Sequence, residues 1–309
     1  MSPPEDPKLL ILVGPTAVGK TEIALRVARQ LGAEIVSADS RLVYRFMDIG
    51  TAKPDRQVRD QVPHHMIDVA EPDRQYTSKQ YERDAREAIA AILARGRLPL
   101  VVGGTGLYVR ALVEGIFDGP SADAGIRRRL LESARLGGKT CLWRRLAEVD
   151  PEKARKIDPE TLPRVIRALE VFEMTGQRMS DLEKASKPLA IRTVKLGLTR
   201  AKHELHDLIE RRVDAMLELG FLGEVKGLVR MGYGETGVVR NSLGYREMLR
   251  HIAGDLSLKE TADLIKQNTR HFAKRQMTWF RKEPDLAWLD ITGRRDAEAI
   301  AAEVCGLYQ

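Results

Sequence analysis

One octapeptide near the amino terminus constrains the fold more than any other part of the sequence. Residues Gly14 to Thr21, GPTAVGKT, match the pattern G-x-x-x-x-G-K-[ST] at every position. The octapeptide follows a short apolar run, KLLILVG, and leads into KTEIALRVARQLG, whose apolar residues recur with the spacing of an amphipathic helix. Between a strand and a helix, such a loop turns its backbone N–H groups toward phosphate oxygens, while the lysine adds positive charge. The sequence therefore predicts a P-loop that binds a phosphorylated molecule.

The segments that follow predict an α/β fold. AEIVSADS has the composition of a second strand, and LPLVVGGTG that of a third buried strand that runs into glycines. Between them, residues 78–96 have helical periodicity, with Ser78 as the predicted N-cap and Gly96 as the predicted end. Because strands and helices alternate, we expect a parallel sheet with helices on both faces.

The pattern changes at about residue 121. Between residues 121 and 189 there is no strand-like run, and the segments are helical in periodicity and rich in arginine. A strand-like run, RTVKLGLT, follows at 192–199, and the C-terminal third has helical periodicity throughout. We predict a P-loop core formed by residues 1–120 and 190–309, with an inserted all-helical domain at 121–189.

Composition excludes several classes of protein. No apolar run approaches the roughly 20 residues of a membrane helix, and the N-terminal MSPPEDPK lacks the basic and apolar regions of a signal peptide. Cys141 and Cys305 are the only cysteines, too few for a disulfide framework or a zinc site. We therefore expect a cytoplasmic protein that does not bind a membrane.

Basic residues indicate a nucleic-acid partner. The 51 Lys and Arg residues outnumber the 44 Asp and Glu residues, and basic runs recur in the insertion (IRRR at 126–129, PRVIRALE) and in TRHFAKRQMTWFRK at 269–282. In the last segment aromatic residues alternate with cations, which suits looped RNA, because phosphates meet the cations and unstacked bases meet the rings. The aromatic residues could equally form a core face of a helix whose charged face is solvated.

The P-loop alone would predict hydrolysis of ATP or GTP. That reaction needs an acid at the end of a second strand to orient Mg²⁺, and a group that activates water. LPLVV instead ends in Gly-Gly-Thr-Gly, and the nearest strand-terminal carboxylate is that of Asp39. Asp39 could be a base for an acceptor group or a helix N-cap, and Thr105 could face the P-loop or cap a helix. From the residues, a group transferase, a small-molecule kinase and a nucleic-acid-binding NTPase all remain open.

Seven blocks of the sequence occur in the order typical of one known family. The blocks are GPTAVGKT, SADSRLVYRFMDIGTAKP, PHHMID, LPLVVGGTGLYVRALVEG, RALEVFEMTG, NSLGYRE and AKRQMTWFRK. With them the chain resembles the tRNA dimethylallyltransferases, which add a dimethylallyl group to N6 of an adenine next to the anticodon. The match runs from about residue 9 to residue 290.

The resemblance implies two substrates, a tRNA recognised at its anticodon stem-loop and dimethylallyl diphosphate. It implies Mg²⁺ as a cofactor, with Thr21 as its protein ligand, and we expect a monomer. The diphosphate would be held by the whole loop, namely Gly14, Pro15, Thr16, Ala17, Val18, Gly19, Lys20 and Thr21.

The resemblance also implies roles for individual residues. Asp39 corresponds to the general base that takes a proton from the adenine amine. Thr105 corresponds to a residue at the scissile C–O bond, and Arg212 to one that neutralises the leaving diphosphate. In many members an arginine begins the block before GYR, whereas this chain has Asn241 with Arg240 one place earlier. The positions that correspond to tRNA contacts are Asp39, Ser40, Arg41, Leu42, Thr105, Arg127, Pro163, Arg164, Val165, Ile166, Arg167, Asn241, Ser242, Leu243, Gly244, Tyr245, Arg246, Lys274, Arg275 and Arg281.

Overall fold

The computed structural model describes residues 8–117 and 119–308. These residues divide into two compact units. The first unit is formed by the chain up to Val113 and from Leu189 onward, and the second spans Glu114–Pro188. The sequence had suggested limits of 121 and 189 for the inserted segment.

The first unit contains a six-stranded sheet in the order β3-β2-β4-β1-β5-β6, in which every pair of neighbours is parallel. All five residues of β1 and all six of β2 are buried, which explains why both segments are almost continuously apolar. The parallel sheet confirms the predicted α/β class. The strands are β1 (Leu9–Val13), β2 (Ala33–Ala38), β3 (His64–His65), β4 (Leu98–Gly103), β5 (Thr193–Thr199) and β6 (Leu286–Asp290).

The prediction that the C-terminal third is helical throughout is wrong at β6. This strand lies at the edge of the sheet, where only Leu289 is buried and Trp288 is 37% exposed. A five-residue edge strand with one buried side chain has too weak an alternation to be distinguished from a loop. The two-residue β3, at the opposite edge, has no strand signal in the sequence at all.

Helices cover both faces of this sheet, as the alternating pattern predicted. The helices of the first unit are α1 (Lys20–Leu31), α2 (Arg56–Gln61), α3 (Ser78–Ala94), α4 (Gly106–Glu114), α10 (Lys202–Glu218), α11 (Phe221–Arg230), α12 (Gly237–Arg240), α13 (Tyr245–Ile252), α14 (Leu258–Phe280) and α15 (Ala297–Tyr308). Within the part of the chain that the structure describes, no helix is both long enough and apolar enough to cross a membrane.

The N-cap of α3 is Thr77 rather than the predicted Ser78. The Thr77 hydroxyl accepts a hydrogen bond from the Gln80 N–H (3.2 Å), and the Gln80 Oε1 accepts one from the Thr77 N–H (2.9 Å). This reciprocal capping box satisfies two backbone donors at once, which a cap at Ser78 would leave without partners.

The second unit consists of helices around its own apolar core. Its core contains Leu130, Leu146, Val165 and Leu169, all of which are buried. The helices are α5 (Ala124–Gly137), α6 (Lys139–Val149), α7 (Pro151–Lys156), α8 (Leu162–Thr175) and α9 (Met179–Lys184).

Candidate active site

The P-loop joins β1 to α1 and closes around its own lysine. Lys20 Nζ donates hydrogen bonds to the carbonyl oxygens of Gly14 (2.9 Å) and Pro15 (2.7 Å). Gly14 has φ +152°, and a Cβ there would lie 2.7 Å from the Leu198 carbonyl oxygen, so only glycine fits. Gly19, the N-cap of α1, provides no side-chain cap. The first N–H groups of the helix are therefore available to an anion.

A single cavity on the α1 side of the sheet brings the main candidate residues together. Its walls hold two cationic side chains, Lys20 and Arg212, and one carboxylate, that of Asp39. Apolar residues form the remainder of the wall, together with a few neutral polar side chains. The lining residues are Thr16, Lys20, Thr21, Ala24, Ile35, Ser37, Asp39, Leu42, Thr51, Ala52, Pro54, His64, Ile67, Val102, Gly103, Arg212, Phe272 and Gln276.

The two cations are poorly hydrated. Burial lowers the pKa of Lys20 to about 7, the Asp39 carboxylate opposes this shift, and Arg212 adds to it. Burial also lowers the pKa of Arg212, again against the effect of Asp39. Arg212 is held in place by a hydrogen bond from its Nη2 to the Thr51 carbonyl oxygen (3.1 Å). With both side chains protonated, two cations against one carboxylate give the cavity an excess of positive charge, which favours an anionic ligand.

Asp39 follows β2 and is not a helix cap. Its Oδ1 accepts a hydrogen bond from the Arg41 N–H (2.8 Å), which forms a turn, and the next helix begins only at Arg56. The helix-cap alternative for Asp39 is therefore wrong. The second carboxylate oxygen makes no described hydrogen bond, so it can accept a proton from a ligand.

Thr105 is tied directly to the turn that holds Asp39. The Thr105 hydroxyl accepts a hydrogen bond from the Ser40 N–H (3.0 Å) and lies 3.3 Å from the Ser40 hydroxyl. The Thr105 N–H donates to the Ala38 carbonyl oxygen (3.1 Å). The strand before it can approach this closely because residue 103 is glycine, where a Cβ would lie 2.1 Å from the same oxygen. Thr105 and the Asp39 turn thus form one rigid unit at the carboxyl ends of β2 and β4.

Gln276, on α14, was not expected from the sequence to belong to this site. Its Oε1 accepts a hydrogen bond from the Thr16 N–H, and its Nε2 donates one to the Gly104 carbonyl oxygen, each at 2.8 Å. One side chain therefore fixes the P-loop relative to the turn that carries Thr105. The signal in the sequence is that Ala273, Gln276 and Phe280 share one buried helix face.

Glu224, on α11, is a second unexpected residue. Its carboxylate accepts hydrogen bonds from three successive N–H groups, those of residues 48–50, at 2.9, 2.6 and 3.1 Å. It also accepts one from the Tyr245 hydroxyl at 2.6 Å. The loop ordered in this way continues directly into Thr51 and Ala52, which line the cavity. Nothing in the local sequence around Glu224 marks this role.

The predicted tRNA contacts of the first unit fall into three groups, which are buried, partly exposed and exposed. Ser242 and Tyr245 are completely buried, with their hydroxyls bonded to the Val238 carbonyl oxygen and to Glu224. These two side chains therefore support the fold. Gly244 is also buried, and Ser40, Arg41, Leu42 and Leu243 are partly exposed. The fully exposed residues are Asn241, Arg246, Lys274, Arg275 and Arg281.

The chain departs from the family pattern at Asn241. The side chains of Asn241 and of the preceding Arg240 both form hydrogen bonds within the protein. Asn241 Nδ2 donates to the Gly237 carbonyl oxygen (2.7 Å), and Arg240 Nη1 donates to Glu235 Oε2 (2.6 Å). Both side chains are exposed, so Arg240 retains donors that can reach a solvent-side anion.

In the second unit, two of the predicted contacts form a buried ion-pair cluster. Arg127 and Arg167 both donate to the Glu170 carboxylate, which is fully buried, and the Asp123 N–H donates to it at 2.8 Å. The neighbouring Val165 and Ile166 are core residues, whereas Pro163 and Arg164 are exposed. Of the predicted contacts on α8, only Pro163 and Arg164, in its first turn, are exposed.

Comparison with known proteins identifies the family. The chain matches the family model for IPP transferase over residues 42–283 and that for isopentenyl transferase over residues 7–61. It is 47% identical to tRNA dimethylallyltransferase 1 of Pelobacter propionicus over 94% of each chain.

Solved structures agree with this assignment. The full-length tRNA isopentenylpyrophosphate transferase of Bacillus halodurans has a TM-score of 0.71 and 38% identity, over 97% of this chain and 96% of that one. A eukaryotic dimethylallyltransferase acting on tRNA has a TM-score of 0.79 and 28% identity, over 96% of this chain and 77% of that one. The match over most of the sequence and the shared fold show that the chain belongs to the IPP transferase family.

Proposed function

We propose that this protein transfers the dimethylallyl group of dimethylallyl diphosphate to N6 of the adenine adjacent to the anticodon of a tRNA. The observation that carries the proposal is the cavity that combines a P-loop, two poorly hydrated cations and one carboxylate. The relatives are named tRNA dimethylallyltransferases, and one similar solved structure is of an enzyme that acts on tRNA.

The P-loop and Arg212 stabilise the leaving group. As the allylic C–O bond breaks, its electron pair moves to the diphosphate, whose growing negative charge meets Lys20, Arg212 and the uncapped N–H groups at the start of α1. Fixed donors and cations in a poorly hydrated cavity stabilise such charge far more effectively than water does. An allylic carbon ionises readily once its leaving group is stabilised, so most of the rate acceleration would come from this part of the site.

Asp39 serves as the general base. The adenine amine is a weak nucleophile, and it must lose a proton as its nitrogen forms the new bond to the allylic carbon. The carboxylate oxygen of Asp39 that is not bonded to Arg41 accepts this proton. Thr105, fixed against the Asp39 turn through Ser40, would act at the C–O bond that breaks.

The acceptor base enters by extrusion from the RNA loop. Residues Asp39 to Leu42 contact the extruded base, because Asp39 and Leu42 line the cavity and Arg41 and Ser40 lie between them. Extrusion costs a few kcal/mol and costs least for an unpaired base, which favours an adenine in a loop. The base also displaces water from the site, and water is the nucleophile that would otherwise hydrolyse the donor.

The residues that line the cavity fit an Mg²⁺ ion that takes most of its ligands from the substrate. Within the described ranges no cluster of three or more His, Cys, Asp or Glu side chains could hold a metal by itself. Thr21, at the start of α1, lines the cavity and supplies one hydroxyl ligand, and Mg²⁺ commonly binds through one or two protein groups and substrate phosphates. When bound there, the ion would neutralise charge on the diphosphate.

The tRNA is held by the exposed basic residues. Arg164, Arg246, Lys274, Arg275 and Arg281 have solvent-exposed side chains that can meet phosphates, and the helical unit contributes through the first turn of α8. We expect the protein to act as a monomer, and a tRNA substrate fits a cytoplasmic location.

Incubation with dimethylallyl diphosphate labelled in its isoprenoid, together with unmodified tRNA, tests the proposal. We expect the label to enter the tRNA and diphosphate to be released. If the tRNA stays unlabelled while the protein releases phosphate from ATP, the chain is a kinase or an NTPase and the proposal is wrong.

A further inference from the structure

An aromatic pair outside the cavity takes no part in the proposed reaction. The rings of Phe46 and Tyr233 are stacked, with centroids 6.2 Å apart and planes at 19°. The guanidinium carbon of Arg45 lies 5.1 Å from the centroid of the Phe46 ring. Phe46 is 36% exposed, so part of its ring is open to solvent. We call these three residues the aromatic platform.

Glu71 holds the platform together. Its carboxylate accepts a hydrogen bond from Arg45 Nη1 (2.9 Å) and another from the Tyr233 hydroxyl (3.2 Å). The Arg45 N–H donates to the Ala70 carbonyl oxygen at 3.0 Å, which fixes the backbone on the same side. The polar ends of the platform are therefore satisfied within the protein, and the solvent-exposed part of the Phe46 ring remains for a partner.

The backbone at Phe46 is strained. Its φ is +63°, in the left-handed region, where a bulky side chain is disfavoured and glycine is preferred. Neither backbone preference nor burial in the core explains a phenylalanine at this position. Strained residues of this kind persist mainly where they serve function, so the exposed ring itself is the feature to explain.

Arg45 and Phe46 lie on a loop that leaves the cavity and returns to it. Leu42 and Thr51 both line the cavity, and Phe46 lies between them in the sequence. Phe46 lies four positions after Leu42, so the two Cα atoms are at most about 14 Å apart. The returning half of the loop is fixed by Glu224. The platform is thus held within one or two nucleotides of a base in the cavity.

We propose that Phe46, Tyr233 and Arg45 form a stacking site for an unpaired nucleobase next to the adenine that enters the cavity. This inference rests on the proposed function for the presence of an RNA loop in the site. Extrusion of one base leaves its neighbours without a stacking partner, and aromatic faces and guanidinium planes are the surfaces on which proteins stack such bases.

Phe46→Gly is the sharpest test, because glycine relieves the positive φ while it removes the ring. We expect the Kd for an unmodified anticodon stem-loop RNA to rise roughly 5- to 100-fold, the usual effect of losing one base–aromatic stack. The KM for dimethylallyl diphosphate and the wild-type Tm should be retained. Phe46→Trp should keep RNA affinity, and Leu219→Ala, which removes another exposed apolar side chain (72% exposed), should have no effect.

Fluorescence distinguishes stacking from a structural role. With 2-aminopurine placed in turn at each unpaired loop position outside the target adenine, the wild type should quench one position and Phe46→Gly should not. If Phe46→Gly binds RNA with the wild-type Kd, or if no position shows quenching that depends on Phe46, the inference is wrong. If instead the wild type binds no RNA, the proposed function fails, and the two failures are distinguishable.

Discussion

Binding of diphosphate should take up a proton at Lys20. Burial lowers the pKa of this lysine to about 7 in the free protein, so at pH 8 about nine-tenths of the molecules would hold a neutral amine. The negative charges of a bound diphosphate favour the ammonium form. Below pH 7 Lys20 is already protonated, so it contributes its full share of the binding free energy. Above pH 7 the affinity for diphosphate should fall about tenfold per pH unit, because Lys20 must first take up a proton.

Calorimetry with inorganic diphosphate measures this uptake directly. The apparent enthalpy in buffers of different ionisation enthalpy gives the number of protons bound. Lys20→Met lacks the titrating amine and reports the ionisation of the ligand itself. At pH 8 the wild type should take up about 0.9 proton more than Lys20→Met. Equal proton uptake by the two proteins would refute a Lys20 with a pKa near 7, and with it the poorly hydrated cation on which the account of the leaving group depends.

Three further substitutions test separate parts of the site. Asp39→Asn should lower kcat by about 10²-fold or more and leave diphosphate binding intact, as rapid-quench single turnovers would show; a normal kcat would remove Asp39 from the chemistry. Gln276→Ala should lower kcat at saturating RNA by up to about 10²-fold, because the P-loop and the Thr105 turn lose their shared anchor. Thr278→Ala, on the exposed side of the same helix, should behave as wild type, and equal kcat values for the two variants would contradict the positioning role. Arg164→Ala should weaken RNA binding and reduce by about 1 the steepness with which log K for RNA falls against log salt concentration. A raised KM for the diphosphate instead would contradict an RNA-binding role.

The sequence predicts the P-loop and the class of fold because both depend on local signals. The strand before Gly14, the helix after Thr21 and the alternation of strands and helices are visible in stretches of a dozen residues. In the structure residues 14–19 form the loop, and Lys20, the first residue of α1, folds back on the carbonyl oxygens of Gly14 and Pro15.

The remainder of the site could not be predicted, because it depends on residues far apart in the chain. Thr16 and Gln276 are separated by 260 residues, and no local pattern indicates that one amide side chain joins them. The same holds for Glu224, which orders a loop more than 170 residues earlier. Motif position also does not reveal which way a side chain points. Tyr245 lies in a block associated with tRNA contact, yet its side chain is fully buried against Phe221.

The most direct test of the central claim is a comparison of prenyl transfer with diphosphate release. With dimethylallyl diphosphate and unmodified tRNA, digestion to nucleosides and mass spectrometry should find one adenosine, adjacent to the anticodon, that carries one dimethylallyl group. The diphosphate released should equal the group transferred, and its release should depend on the RNA. Diphosphate released without a modified adenosine, or a modification on any atom other than N6, would contradict the account.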